Sequence, residues 1–241
     1  MAPTLVLLHG FTHTGASWGP VIRALGERYS AIAPDIRGHG SASLREPVNV
    51  DGVVDDLLRM VREEHFTLVG YSMGGRVAIH VALALGGRVQ RLILIGASPG
   101  IADPLEREVR LESDERLAEW ISRAHSIEEV ARRWAATGVL AGQSPQVAAA
   151  AHADRLRNTP EGLARALREL GTGALPSTWG RLDELAMPVV LVAGERDEKF
   201  TATAERMAEK IRSARVVIAP GAGHAVHLEA PGLMANVIAE A

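Results

Sequence analysis

A chain of 241 residues, 47% hydrophobic and 23% charged, is long enough for one globular domain with an insertion and too short for a second full domain. Its formal net charge of −3 provides no basic face for nucleic acid or an anionic membrane, so we expect a small-molecule substrate, no nucleic acid and no membrane. The absence of cysteine excludes disulfides and thiolate chemistry. The composition is compatible with a monomer and with a homodimer.

The N-terminal sequence favours a cytoplasmic protein. Met1 to Thr4 lead directly into strand-like Leu5–Leu8, without the charged region and cleavage site of a secretory signal. The longest apolar runs are much shorter than a membrane span. We therefore expect a cytoplasmic enzyme.

Short apolar runs that end at Gly, Pro or Asp recur along the chain and predict buried parallel strands. Helical stretches, among them residues 50–64 and 74–85, separate these runs. The alternation predicts an α/β fold with a mostly parallel sheet and helices on both faces. The predicted strands are Leu5–Leu8, Ala31–Ala33, Thr67–Gly70, Leu92–Ile95, Val189–Ala193 and Val216–Ile218.

The alternation stops between residues 99 and 176, where the composition predicts helices only. Ser126 to Glu129 form a capping box, Thr159 and Pro160 begin another helix, and Gly171 and Gly173 close the last one. An insertion at the carboxyl edge of a parallel sheet is typical of a lid over a ligand site. We therefore predict a core domain of residues 1–98 and 177–241 and a helical lid of residues 99–176.

A G-x-S-x-G sequence, Gly70-Tyr71-Ser72-Met73-Gly74, stands between a predicted strand and a predicted helix. Glycines on both sides of the serine allow the sharp, strained turn that exposes a nucleophilic hydroxyl. The alternative is a glycine-rich turn with an incidental serine. The strand-turn-helix context favours Ser72 as the catalytic serine.

Two further polar residues follow predicted strands and complete a catalytic triad. Asp197 follows the fifth strand and His224 the sixth, 27 residues later, in the order Ser, Asp, His. Asp197 could instead cap a helix, and His224 could pack on Glu229. His227 ranks second as the base, and Asp35 is expected to order its own turn.

An oxyanion hole requires two backbone N–H groups aimed at one point. Met73, after the serine, can supply one, and Phe11, in the loop after the first strand, can supply the other; a simple strand-ending turn at His9-Gly10 is the alternative. The scattered histidines indicate no metal site. Because the triad and backbone donors supply base and electrophile, we expect no cofactor.

These motifs resemble the α/β-hydrolase superfamily over essentially the whole chain. The resemblance implies the α/β-hydrolase fold, with the helical lid inserted after the sixth strand of the fold. It rests on Leu8-His9-Gly10-Phe11, Asp35-Ile36-Arg37-Gly38-His39-Gly40, Gly70-Tyr71-Ser72-Met73-Gly74-Gly75 and Ala222-Gly223-His224.

Four local features are similar to the 2-succinyl-6-hydroxy-2,4-cyclohexadiene-1-carboxylate synthases of menaquinone biosynthesis. The resemblance implies a lyase that eliminates pyruvate from a polyanionic cyclohexene carboxylate, with the serine removing a proton. It also implies substrate contacts from Tyr71, Arg76, Arg107, Arg110, Trp134 and Arg157. The features are Tyr71 with Arg76, Pro99-Gly100 followed by Arg107 and Arg110, Arg157-Asn158 before Gly162-Leu163, and Gly194-Glu195-Arg196-Asp197-Glu198-Lys199-Phe200.

The composition of the predicted lid agrees only partly with the expectation that its arginines bind a polyanionic substrate. It contains ten arginines and no lysine, and arginine suits carboxylate binding, but twelve acidic residues in the same segment can pair with many of them. The family's Trp-Tyr pair is absent, since Ala135 follows Trp134, and Trp134 is equally compatible with lid packing. The alternatives are a carboxylesterase or C–C or thioester hydrolase acting through an acyl-serine, and a slow-turnover ligand-binding protein.

Overall fold

The computed structural model describes residues 2–240, and within that range the chain forms one six-stranded sheet in which every pair of neighbours is parallel. The spatial order is β2-β1-β3-β4-β5-β6, so the chain reverses direction across the sheet between β1 and β3. The predicted parallel sheet is confirmed. The strands are β1 Thr4–Leu8, β2 Ser30–Ile32, β3 Phe66–Tyr71, β4 Val89–Ile95, β5 Val189–Gly194 and β6 Ala214–Ala219.

Alternate residues of each central strand enter two separate cores. In β1, Val6 and Leu8 pack in one hydrophobic cluster and Leu5 and Leu7 in the other. All four are fully buried, because helices cover both faces of the sheet. This double burial explains why the strand reads as a continuous apolar run.

Helices from different parts of the chain cover the two faces. On one face, α1 (Gly19–Leu25) packs against α10 (Pro231–Glu240). On the other lie α2 (Val50–Met60), α3 (Met73–Leu85) and α8 (Glu198–Ala208). The short helix α9 (Val226–Glu229) precedes α10. Within residues 2–240, no helix is both long enough and apolar enough to cross a membrane.

The segment of residues 99–176, called the helical insertion below, contains helices and turns but no strand in the structure. Its helices are α4 (Pro104–Ser122), α5 (Ile127–Ala135), α6 (Pro145–Arg155) and α7 (Pro160–Leu170). The Ser126 and Thr159 side chains cap α5 and α7 as predicted, and α7 ends at Gly171. The insertion lies between β4 and β5, the fourth and fifth strands of this chain.

Candidate active site

Ser72 occupies a strained turn between β3 and α3. Its backbone φ is 52° and ψ is −113°, a conformation that a residue with a side chain rarely adopts. The turn is so tight that a Cβ on Gly70 would lie 2.6 Å from the Cα of Gly75. The glycines therefore permit the turn, and the turn exposes the Ser72 hydroxyl at the carboxyl edge of the sheet.

The three residues of the predicted triad are joined by hydrogen bonds. His224 Nε2 lies 3.0 Å from Ser72 Oγ, and His224 Nδ1 lies 2.6 Å from Asp197 Oδ2. The Asp197 carboxylate makes no capping bond to α8, although the residue stands at the N-cap position. With the Nδ1–H donated to Asp197, the Nε2 lone pair can accept the Ser72 proton.

The rival residues have other partners. Asp35 accepts hydrogen bonds from the N–H groups of Gly15 and Ser41, each at 2.8 Å, and so orders its turn as predicted. His227 is fully buried, with its ring centroid 4.2 Å from that of Tyr71. Neither residue is hydrogen-bonded to Ser72 within the described chain.

The expected oxyanion donors, Phe11 and Met73, border the same cavity as Ser72. In the described part of the chain, neither N–H donates to a protein acceptor, so both are available to a ligand. His9 fixes this loop, since its Nδ1 lies 2.9 Å from the Gly10 carbonyl and its Nε2 accepts the Ile36 N–H. Burial lowers the pKa of His9 to about 4, so the ring is neutral and can donate from Nδ1 while accepting at Nε2.

A cavity of about 770 Å³ opens above the triad, between the sheet and the helical insertion. Three of the predicted substrate contacts, Arg76, Arg110 and Trp134, line it. The Trp134 ring also meets Phe11 edge-to-face, with centroids 4.9 Å apart, so it serves both as cavity wall and as packing.

Arg76 and Arg110 form the cationic side of this cavity. Arg76 is buried, and its Nη2 donates to the Leu170 carbonyl at 3.3 Å, while its Nε has no partner in residues 2–240. Burial, and secondarily the charge of Arg110, lower the pKa of Arg76 to about 10, so it stays charged at neutral pH. Arg110 is paired with the buried Asp114 at 2.7 Å.

Two other predicted substrate contacts, Arg107 and Arg157, do not line this cavity. On α4, Glu106 and Arg110 are one helical turn apart and face the cavity, whereas Arg107 is rotated by about 100° and is exposed. Arg157 lies beyond the end of α6, with 65% of its side chain exposed. It faces the outer surface beside Thr14 and Asp35.

Tyr71, the remaining predicted substrate contact, is buried beneath the triad and does not line the cavity. Its ring packs against His224, with centroids 5.3 Å apart. Arg155 lies near it, almost fully buried, and the charge of Arg155 opposes the burial that raises the pKa of the Tyr71 hydroxyl. Ala151, Asp154 and Arg155 share the buried side of α6, but two of them are polar, so no apolar periodicity in the sequence marks Arg155 as inward-facing.

The cavity has a second cationic side on α8, which the sequence does not predict. Lys199, Thr203 and Arg206 line the cavity, and their spacing of four and three residues places them on one helix face. The Arg206 guanidinium lies 4.9 Å from the centroid of the Trp179 ring. Within residues 2–240, neither Lys199 nor Arg206 forms an ion pair, so both charges are available to a ligand.

Comparison with known proteins agrees with this geometry. The model of the alpha/beta hydrolase family matches residues 5–237, and the chain belongs to this family. Among its relatives, the 2-succinyl-6-hydroxy-2,4-cyclohexadiene-1-carboxylate synthase of Salmonella schwarzengrund is 34% identical over 249 residues, covering 99% of this chain and 93% of the relative.

Two solved structures extend the comparison. The structure of MenH from S. aureus superposes with a TM-score of 0.93 at 31% identity, over 100% of this chain and 93% of that one. A thermophilic esterase from Thermogutta terrifontis, with malate bound, has a TM-score of 0.83 at 26% identity, over 99% and 88% of the two chains. The expected α/β-hydrolase fold is thereby confirmed.

Proposed function

We propose that this protein is a carbon–oxygen lyase that eliminates pyruvate from a polyanionic cyclohexene carboxylate and forms 2-succinyl-6-hydroxy-2,4-cyclohexadiene-1-carboxylate. The observation that carries the proposal is the cavity in which a serine–histidine–aspartate array faces several cations. The relative from Salmonella schwarzengrund, named for this reaction and 34% identical, supports the same reaction here. The proposal includes a small-molecule substrate and a cytoplasmic location.

The charges lining the cavity support an anionic substrate. Arg76, Arg110, Lys199 and Arg206 outnumber the acidic lining residues, Asp103 and Glu106. Asp103 is also engaged as the N-cap of α4, accepting the N–H groups of Leu105 and Glu106. Cations from α3 and α4 and cations from α8 can bind separate carboxylates of one substrate, with arginine forming bidentate contacts.

The triad supplies a base for the reaction. His224, oriented by Asp197, accepts the Ser72 proton, and the Ser72 oxygen then removes the proton α to the succinyl carbonyl. The enolate oxygen that develops is stabilised by the N–H groups of Phe11 and Met73. Electrons return from the enolate through the ring, and the bond between the ring carbon and the enolpyruvyl oxygen breaks. The leaving enolate of pyruvate takes up one proton and becomes pyruvate, and the release of the abstracted proton restores the Ser72–His224 pair. The helical insertion acts as a lid that excludes water from this step.

Pyruvate release from the cyclohexene precursor tests the proposal. We expect the purified protein to release pyruvate and the cyclohexadiene product in equal amounts, without added metal or cofactor. A coupled pyruvate assay and the absorbance of the conjugated diene measure the two products independently. Pyruvate release no faster than the uncatalysed background, from protein shown to be folded by circular dichroism, would refute the proposal.

Exchange of Arg110 for alanine should weaken substrate binding. Arg110→Ala removes a cation from the cavity wall, and we expect KM to rise about tenfold or more, the value of one charge-assisted contact. Arg107→Ala is the matched control on the same helix, and its KM should stay within about twofold of wild type because an exposed side chain contributes little. Steady-state kinetics of pyruvate release distinguish the two. Equal effects would contradict the assignment of Arg110.

The second candidate is a carboxylesterase acting through an acyl-Ser72 intermediate. It is favoured by the hydrogen bond between Ser72 and His224 and by the 26% identity to the Thermogutta terrifontis esterase. Short-chain p-nitrophenyl esters discriminate between the candidates. Rapid, complete turnover of these esters without pyruvate elimination would favour the esterase.

A further inference from the structure

The Glu229 carboxylate accepts hydrogen bonds from the backbone on both sides of His224. Its Oε2 accepts the Gly223 N–H at 2.9 Å, and its Oε1 accepts the Ala225 N–H at 3.2 Å. These are the residues immediately before and after His224. The Glu229 side chain is only 8% exposed, so the two hydrogen bonds are shielded from water and fix the backbone from which the imidazole projects.

Arg196 connects Glu229 to the loop that carries Asp197. Its Nη2 donates to Glu229 Oε2 at 2.8 Å, and its backbone N–H donates to the Ala222 carbonyl at 2.9 Å. Asp197 is the next residue in the chain. One side chain therefore joins the loops of the triad acid and the triad base.

The same guanidinium also reaches the helical insertion. Arg196 Nη1 donates to the Gly142 carbonyl at 2.9 Å. Gly142 has a φ of 78°, which strains any residue with a side chain, and a Cβ at this position would displace Arg196 Nη1, which would lie 2.6 Å away. The neighbouring Val139 lines the active-site cavity.

Within the described chain, this hydrogen bond joins two segments that share no other hydrogen bond. In the described chain, it is the one hydrogen bond between residues 101–176 and residues 185–240. Hydrogen bonds from Asn158 join the insertion to Thr12 and Gly40 in the N-terminal half of the core. At the start of the insertion, the Pro99 and Gly100 carbonyls accept hydrogen bonds from Thr178 and Trp179. Arg196 therefore adds a hydrogen bond to the packing of α6 on α9 where the insertion meets the C-terminal half of the core.

We propose that Arg196 is a positioning residue that couples the helical insertion to His224, so that residues 138–142 close over the cavity and the histidine loop is ordered through one guanidinium. The inference rests on the proposed function in taking His224 as the base. Two parallel N–H arms make the coupling possible, because Glu229 and Gly142 are bound at the same time.

Three variants distinguish the effect of the hydrogen bond from Arg196 to Glu229 from the effect of its hydrogen bond to Gly142. Arg196→Gln loses both arms, and we expect kcat to fall about tenfold and KM to rise about fivefold, effects typical of misplacing a catalytic group without removing it. Arg196→Lys keeps an ion pair with Glu229 but cannot hold both partners at once, so kcat should recover while KM stays raised. Gly142→Ala disturbs only the insertion arm and should raise KM alone. Arg181→Gln is the control, because Arg181 is similarly exposed and doubly bonded to Glu184.

Hydrogen–deuterium exchange tests the coupling without any substrate. In Arg196→Gln, amides of residues 138–142 and of residues 223–225 should both exchange faster than in wild type, and in Arg181→Gln neither segment should change. The proposal is overturned if only one segment responds, or if kcat and KM of Arg196→Gln stay within about twofold of wild type. If wild type releases no pyruvate, the proposed function fails, and the exchange experiment still decides the coupling.

Discussion

Replacement of Ser72 with alanine is expected to lower kcat for pyruvate release by about 10²–10⁴-fold, the usual contribution of a positioned general base. The hydroxyl lies 3.0 Å from His224 Nε2 and faces the cavity, and the variant leaves no other oxygen at this position. KM should change little, because the cations that bind the carboxylates remain in place. Steady-state kinetics with the cyclohexene precursor measure both parameters.

The variant should fold normally, since alanine at position 72 has the same backbone strain as serine. Its thermal unfolding midpoint is the control. Because Ser72 and His224 act on the same proton, the double variant with His224→Ala should be no slower than the slower single variant. Multiplied losses in the double variant would mean that the two residues do not act as a unit.

Most of the fold could be predicted because the strands are buried on both faces. Val189–Ala193 is predicted one residue short of the observed β5, because a continuous apolar run marks a strand buried on both faces. Helix ends were less predictable. The expected helix of residues 50–64 ends at Met60, because Val61 is extended and buried. Residues 62–64 have good helix propensity, but the chain must turn there to enter β3.

The triad could be predicted because its residues follow three parallel strands, whose carboxyl ends meet at one edge. The substrate contacts were less predictable, because the chain order does not show which side of a lid helix faces the core. Arg107 and Arg110 are equally plausible in sequence, and only the packing of α4 separates them.

The segment Gly194 to Phe200 illustrates the same limit. This segment is similar to the synthases, but its sequence predicts a role for Asp197 alone. In the structure, Arg196 bonds to Glu229 and Gly142, Lys199 lines the cavity, and the Phe200 ring lies 4.6 Å from that of His224. These contacts involve residues distant in the sequence, so no local pattern reveals them.

Acidification should destabilise the protein strongly, because four histidines near the active site are buried and neutral. Burial lowers the pKa of His9 to about 4 and of His39 to about 3, and it lowers the pKa of His13 and His227 as well. The unfolded chain binds these protons near the ordinary value of 6.5. Their stabilising effect is therefore complete above that pH and is lost as the pH falls below it.

Between pH 8 and pH 5, His9 and His39 should each lower the free energy of unfolding by about 2 kcal/mol, a large part of the 5–15 kcal/mol typical of a domain. The carboxylates of Asp35 and Asp154 do not contribute in this range, because their pKa values lie below 3.8. Guanidinium unfolding at several pH values measures the slope. His39→Leu should flatten it by about one proton. A slope equal to that of the wild type would contradict the assignment of this proton to the buried histidine.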